Sequence, residues 1–227
     1  MFAILKKELK NYFCSPIGYI VIGIFLFVFS AFFYITSISS ASVDLTNLFY
    51  CAALYGLMFM IPLLTMWSFA GERKSGTEQL IMTSPVSMLG VVLGKFISAF
   101  LLVLIPVIFT VMYFGILCYY QMPDVPTYLT SMLGFLLLSM SYISFGLLAS
   151  SITESPIVSG ILTVAFVFAS TWLPTMVEEL SSFSLINLFI NFLYGKIDIT
   201  STVLFVTLTI LCILITIIIM QRRKSVK

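Results

Sequence analysis

The sequence predicts an all-α integral membrane protein with six transmembrane helices. Hydrophobic residues make up 61% of the 227 positions and charged residues only 9%, whereas an ordinary soluble domain has about a quarter charged residues. A water-soluble domain of this length would need a more polar surface, so the composition fits a lipid bilayer as solvent. The apolar residues fall in six runs, and the lysines and arginines cluster beside these runs.

Each apolar run is about as long as, or longer than, the roughly 20 residues that a membrane-crossing helix needs. Because lipid offers no water to bond the backbone, runs of this length are expected to be helical. No internal repeat divides the chain, so we expect residues 1–227 to form one membrane domain. The predicted spans are Ile17–Ser37, Leu48–Ala70, Met88–Tyr119, Tyr128–Ser150, Pro156–Leu173 and Thr202–Met220.

The basic residues predict the orientation of the chain. With six spans, all lysines and arginines except Lys196 fall on one side of the membrane. The positive-inside rule makes that side cytoplasmic, so both termini are expected in the cytoplasm. The net charge of +2 is too small to indicate a nucleic-acid partner.

The first 15 residues have the pattern of a helix lying on the membrane surface. Phe2, Leu5, Leu9 and Phe13 share one helical face, and the lysines lie largely on the other. Pro16 is expected to end this helix before the first span begins.

The segment 174–200 is expected on the opposite side of the membrane. Glu178 and Glu179 make it too polar to span, but the stretch that follows is nearly all apolar. Asn187 and Asn191 share one face of a predicted short helix that Gly195 ends. Two interpretations remain open: the helix dips into the outer leaflet, or it packs on top of the bundle.

The composition excludes most kinds of catalytic site. The chain has no histidine, so histidine triads and histidine-ligated metals are excluded, and no catalytic residue or cofactor site is predicted. Gly90 to Lys95 resembles a phosphate-binding loop only superficially, because it is one residue short and lacks the final hydroxyl. Its glycines are better explained by close helix packing.

The spans contain no ionisable group near their middle, and Lys95 lies close to one end of the third. Ion-driven carriers usually need such groups along the ion path. An ion-coupled carrier is therefore disfavoured, and energy for any uphill transport would have to come from another subunit.

The loop between the second and third spans is the most structured polar stretch. Ser75 and Glu78 have the spacing of a capping box, which predicts a helix that starts near Gly76 and ends at Pro85. Such a helix would project Thr77, Leu80, Ile81 and Ser84 from one side, as docking into a groove of a partner requires. The alternative is a loop that folds on the membrane surface.

Ser139, Tyr142, Gly146 and Ser150 form a small or polar stripe along the fourth span. Helix packing explains such a stripe, and lining of a translocation path is the alternative. Pro62 and Pro106 lie inside the second and third spans, where proline tends to kink a helix.

The loop sequence E-R-K-S-G-T-E-Q-L-I-M-T-S-P-V, from Glu72 to Val86, resembles the type-2 ABC export permeases, most closely the gliding-motility type. The opening KKELKNYFCSPIGYI and the late Gly195-Lys-Ile-Asp198 support the resemblance, which covers nearly the whole chain. One departure is that family members usually have a carboxylate where this sequence has Gln79, with Glu78 displaced by one position.

The resemblance implies a membrane half-transporter with an amphipathic elbow helix (1–15), a coupling loop (72–87) and external re-entrant helices (174–200). It implies a second permease chain, two copies of a separate ATPase that binds ATP and Mg²⁺, and possible extracytoplasmic accessory proteins. The residues assigned to ATPase coupling are Glu72, Arg73, Ser75, Gly76, Thr77, Glu78, Leu80, Ile81 and Pro85.

Sequence alone leaves two other functions open. The same helices could serve as a scaffold that anchors a partner complex in the bacterial cytoplasmic membrane, or as a passive channel. Neither alternative requires an ATPase partner.

Overall fold

The computed structural model describes residues 2–39, 45–83, 86–120, 122–176 and 184–226, and it describes no side chain for residues 17, 81, 82, 173, 175, 176, 225 and 226. Throughout these ranges the ordered elements are helices. The helices are α1 Phe2–Cys14, α2 Pro16–Phe33, α3 Thr46–Cys51, α4 Leu57–Thr65, α5 Ala70–Lys74, α6 Glu78–Thr83, α7 Met88–Tyr120, α8 Val125–Ile152, α9 Pro156–Met176, α10 Leu185–Leu193 and α11 Ile199–Val226. Two π-helical turns, Tyr34–Ile38 and Ala52–Gly56, extend α2 and join α3 to α4.

Five helical stretches in the described part of the chain are long and apolar enough to cross a membrane. They are Gly18–Ile38, Thr46–Lys74, Met88–Tyr120, Val125–Ile152 and Ile199–Lys224. The chain is therefore a multi-pass membrane protein by length and composition. The apolar stretch Pro156–Trp172 is shorter, and its crossing of the membrane stays a prediction.

Local signals in the sequence explain two of the helix boundaries. α1 ends at Cys14 and α2 begins at Pro16, as predicted, since proline fits the first turn of a helix but not its interior. α10 ends at Leu193, and Gly195, two residues later, adopts a left-handed φ of 74°. Its turn lets the backbone N–H of Lys196 bond to Asn191 O at 3.2 Å.

Asp198 begins the last helix as its N-cap. The backbone N–H of Thr200 donates to its carboxylate at 3.2 Å, and the Ser201 hydroxyl donates at 2.8 Å. The hydrogen bond from the Ser201 hydroxyl lowers the pKa of the Asp198 carboxyl. Gly195 and Asp198 thus form one turn that ends α10 and starts α11.

α10 packs against α8 along its apolar face. Phe189 and Phe192 are fully buried, and a Cβ on Gly134 of α8 would lie 2.6 Å from Phe192 Cβ. Asn187 lies on the exposed face of α10. A helix that dips into the outer leaflet and one that packs on the bundle would both contact α8, so both interpretations of this segment stay predictions. Glu178 and Glu179 lie outside the described residues.

An aromatic cluster fills the core between α2, α3 and α8. Phe25, Phe29, Phe49 and Phe135 are all buried, and their ring centroids lie 4.9–6.2 Å apart. Such separations are typical of tilted and edge-to-face aromatic pairs, which stabilise a core beyond their area burial. Pro62 and Pro106 lie inside α4 and α7, which continue past them.

The close approach of α8 to α4 depends on Gly146. A Cβ on Gly146 would lie 2.3 Å from Thr65 Oγ1 and 2.8 Å from Thr65 Cβ. Thr65 Oγ1 is itself held by a hydrogen bond to Ile61 O at 2.9 Å. A larger residue at position 146 would push two spans apart, because small residues are what let membrane helices pack closely.

Gly146→Ala is expected to lower the free energy of unfolding by about 1–3 kcal/mol, the usual effect of overpacking. Thermal unfolding in detergent checks this. The control is Gly23→Ala on exposed α2, where a Cβ meets nothing within 4 Å; it should be neutral or slightly stabilising. Equal loss of stability in both variants would contradict the packing account.

Candidate functional site

The polar loop after α4 folds as a short helix, a turn and a second short helix. α5 is followed by Gly76, whose left-handed φ of 74° turns the chain, and α6 begins at Glu78. Ser75, Gly76 and Thr77 are exposed, and Leu80 on α6 is 72% exposed. The α5–α6 segment thus presents an apolar side chain among small polar ones.

The predicted capping box at Ser75 and Glu78 is wrong. The Ser75 hydroxyl donates to Glu72 O at 3.1 Å and bonds Thr77 Oγ1 at 2.9 Å, so it terminates α5 instead of starting α6. The Glu78 side chain is buried against Arg73. Gly76 has a left-handed φ of 74°, which a right-handed helix cannot contain, so α6 starts at Glu78 and not near Gly76.

Arg73 links α6 to the end of α8. Its guanidinium contacts Glu78 Oε1 at 3.2 Å and donates to Ser151 O at 3.1 Å and to Thr153 O. The last carbonyls of a helix have no partner within the helix and carry partial negative charge. Arg73 therefore caps α8 at the same time as it fixes α6.

Two further contacts fasten this end of α8. Arg223 of α11 donates to Ile152 O at 3.1 Å. The Ser150 hydroxyl accepts the backbone N–H groups of Phe69 and Ala70, each at 3.0 Å, where the chain enters α5. α8 is thus joined to both α5 and α11 by side chains whose partners are backbone groups.

Lys95 of α7 is the centre of a buried charge network. It is 2% exposed, and its ammonium lies 3.0 Å from Glu8 Oε1 of α1 and 2.9 Å from Glu72 Oε2 of α5. The ammonium also donates a hydrogen bond to Ser68 O at 2.8 Å. Two carboxylates and a carbonyl therefore surround the ammonium, and such pairing is the condition for burying a lysine in charged form.

Lys7 and Tyr12 complete the network from α1. Lys7, half exposed, pairs with Glu72 Oε1 at 3.2 Å. The Tyr12 hydroxyl donates to Leu64 O of α4 at 3.0 Å. Burial, with the nearby carboxylates of Glu8 and Glu72 adding to its effect, raises the pKa of the Tyr12 phenol. Tyr12 therefore stays a neutral donor at physiological pH.

The network joins three helices that are far apart in sequence. Glu8 of α1 and Glu72 of α5 both pair with the ammonium of Lys95 on α7. The next residue, Arg73, binds α6 and α8. Through these two neighbouring residues, α5 makes charged contacts with α1, α6, α7 and the end of α8.

Sequence analysis missed Glu8, Lys95, Lys7 and Tyr12 as parts of a site. Lys95 was interpreted as a topology signal, and Glu8 was not distinguished among the lysines of α1. The sequence does contain a signal for Glu8. Ile4, Glu8 and Tyr12 are spaced four residues apart and so share one face of α1. Glu8 is the acidic residue on this face, and the same face contacts the bundle. Gly94 allows this contact, since its Cβ position lies 3.0 Å from Ile4 Cγ2.

The other predicted residues lie in two places. The predicted path residues on α8 are buried. The Tyr142 hydroxyl forms a hydrogen bond with Ser170 Oγ at 3.0 Å, and the Ser139 hydroxyl donates to Leu136 O at 2.8 Å. Gly146 lies against Thr65 of α4, and Ser150 binds the backbone at the start of α5. Their lining of a path stays a prediction. The Ile81 side chain and Pro85 lie outside the described part of the chain.

The profile of the ABC-2 family transporter proteins matches residues 34–220. The chain belongs to the ABC-2 transporter family. No curated protein matches the chain.

ABC-2 membership makes this chain the transmembrane component of an ABC transporter. The ABC-2 domain is the permease part of such a transporter and is distinct from the nucleotide-binding domain, and ABC-2 permeases typically work with an ABC ATPase partner. The gliding-motility subtype stays a prediction.

Lys95→Met is expected to lower the free energy of unfolding by about 3–5 kcal/mol, because it removes the buried cation that pairs with both Glu8 and Glu72. Thermal unfolding in detergent measures this loss. Adding Glu8→Gln and Glu72→Gln should restore most of the stability, since the remaining groups are neutral.

The matched control is Lys196→Met, which removes a lysine from an exposed position and should change little. If the triple variant were less stable than Lys95→Met alone, the buried network would not have the charge balance described.

Proposed function

We propose that this chain is the permease subunit of an ATP-binding-cassette exporter in the bacterial cytoplasmic membrane. It would move an unidentified substrate outward with ATP hydrolysed by a separate ATPase. The observation that supports this most is the exposed α5–α6 segment, whose base is fixed to the bundle by Arg73 and Glu72. In this proposal α6 is the coupling helix and α1 is the elbow helix.

The surface of α6 suits docking into a groove. Leu80 is largely exposed, with Thr77, Gln79 and Thr83 also exposed around it. An exposed leucine on a short helix gives a partner an apolar anchor, while the exposed polar groups around it favour solubility of the free surface. Thr83 is satisfied within α6 through Gln79 O at 3.0 Å.

The contacts at the base of the segment would pass movement of α6 into the membrane. Arg73 connects Glu78 of α6 to the C-terminal carbonyls of α8. Glu72, one residue earlier, connects to Lys95 of α7. A push on α6 would therefore act on two spans through charged contacts that are short and mostly buried, which resist stretching better than exposed pairs.

The proposed assembly has two permease chains, as a homodimer or heterodimer, and two ATPase chains that hold ATP and Mg²⁺. In this proposal the chain has six spans, with α9 as the fifth, and both termini and the α5–α6 segment are cytoplasmic, as the positive-inside rule predicts. α10 then lies outside, where an extracytoplasmic accessory protein could bind. Closure of the ATPases would push α6 and shift the permease pair toward the outward-open state.

The test is affinity purification of the tagged chain from its native membrane in mild detergent, followed by an ATPase assay of the complex. The variant is Thr77→Ala with Leu80→Ala, which removes the exposed anchor and is expected to lower copurified ATPase activity at least about tenfold. Such a loss corresponds to about 1.4 kcal/mol, within the range of one hot-spot residue.

The matched control is Thr207→Ala with Leu211→Ala, a threonine and a leucine on the exposed face of α11. It should retain native ATPase activity. Equal activity in both variants, or no ATPase bound to the native chain, would contradict the proposed coupling role and favour a scaffold or a channel.

A further inference from the structure

α1 is fixed at one end of two membrane spans. Ser15 has an extended backbone and separates α1 from α2. The start of α2 packs closely on α1, because a Cβ on Gly18 would lie 2.3 Å from Tyr12 O. Lys95, near the start of α7, pairs with Glu8 at 3.0 Å. α1 therefore lies beside the ends of α2 and α7, at the level where a bilayer has its headgroups.

The side of α1 that faces away from the bundle contains two exposed lysines. Glu8 and Tyr12 contact the bundle, as described above. Lys6 and Lys10 are each offset by two positions from these residues, which is a rotation of about 200° around an α-helix. Both lysines are exposed. With the exposed Phe2 and Phe13, they form the outer face of α1.

The two lysines of the outer face are positive charges without a counterion in the described part of the chain. Glu8 and Glu72, the acids beside α1, already pair with Lys95 and Lys7. Neither Lys6 nor Lys10 makes a salt bridge within the described ranges. The outer face of α1 is therefore complementary in charge to an anion.

Exposed aromatic rings lie next to these lysines. Phe2 precedes Lys6 by four residues and is 83% exposed, and Phe13 follows Lys10 by three. The Phe13 ring packs edge-on against the exposed Tyr19 of α2, with the centroids 6.1 Å apart. On an interfacial helix such rings enter the acyl boundary while lysines reach the phosphates. A soluble acidic partner would leave the rings in water, so the combination favours an anionic lipid.

We propose that the outer face of α1 binds anionic phospholipid. Lys6 and Lys10 contact the phosphate groups, and Phe2 and Phe13 lie against the upper part of the acyl chains. The inference requires the membrane location of the chain and does not depend on ATP-driven transport. Because Glu8 joins the opposite side of α1 to Lys95, the bound lipid and the buried network would hold the same helix from two sides.

The experiment is native mass spectrometry of the full-length, delipidated protein in detergent. The protein is titrated with phosphatidylglycerol or with phosphatidylcholine of identical acyl chains, and the Kd of the first bound lipid is measured. The native chain is expected to bind phosphatidylglycerol at least about tenfold more tightly, as two lysines at an anionic surface would produce. Equal affinity for the two lipids would overturn the proposal.

Two double variants test the assignment to the lysines. Lys6→Gln with Lys10→Gln is expected to weaken phosphatidylglycerol binding about tenfold and to leave phosphatidylcholine binding unchanged. Thermal unfolding should stay native, since neither side chain makes a salt bridge. Lys6→Arg with Lys10→Arg keeps both charges and should keep the native affinity. Native phosphatidylglycerol affinity in the glutamine variant would show that the lipid does not bind this face.

The matched control is Lys74→Gln with Lys196→Gln, which removes two exposed lysines outside α1 and should keep the native affinity. An equal loss in this control would mean that net charge alone attracts the lipid, against a site on α1. Competition with soluble glycerol 3-phosphate separates the lipid from a free phosphate. Retention of the lipid at equal concentrations supports the proposal, and displacement would contradict it, because Phe2 and Phe13 hold only a ligand with acyl chains.

Discussion

The structure depends on the burial of one ammonium group. Lys95 lies at the end of a span where water is scarce, and a lysine there is tolerated only with full pairing. Glu8 of α1 and Glu72 of α5 provide that pairing. The positions of α1 and α5 are therefore set by the same charge, and neither helix can leave without exposing Lys95 to an unfavourable environment.

α5 is only five residues long, but it connects the Lys95 network to the other helices. Glu72 faces α7 and α1, and Arg73 faces α6 and the carbonyls that end α8. Such a short helix has little stability of its own, since helices of this length are marginal in water. Contacts with the neighbouring helices maintain its conformation. The loop can therefore be rigid at its base and still present Leu80 to another protein.

Much of the fold could be predicted from local sequence signals. The lengths of the apolar runs predicted the long helices. Pro16 predicted where α2 starts, and Gly195 predicted that α10 ends just before it. The charge network could not be predicted in this way, because Glu8 and Lys95 are 87 residues apart and their pairing depends on how α1 packs. The capping box failed because Gly76 turns the chain with a left-handed φ of 74° and the Glu78 carboxylate pairs with Arg73, and the S-x-x-E spacing reveals neither feature.

The most direct test of the central claim is whether α1 and α5 move as one unit during the ATPase cycle. Spin labels at the exposed positions Lys10 and Lys74, in a chain whose four native cysteines are replaced, would report their separation by pulsed electron paramagnetic resonance. The account predicts the same distance in nucleotide-free and ATP-bound complexes, and a broader distribution in Lys95→Met. A separation that changes with nucleotide while Lys95 is intact would contradict it.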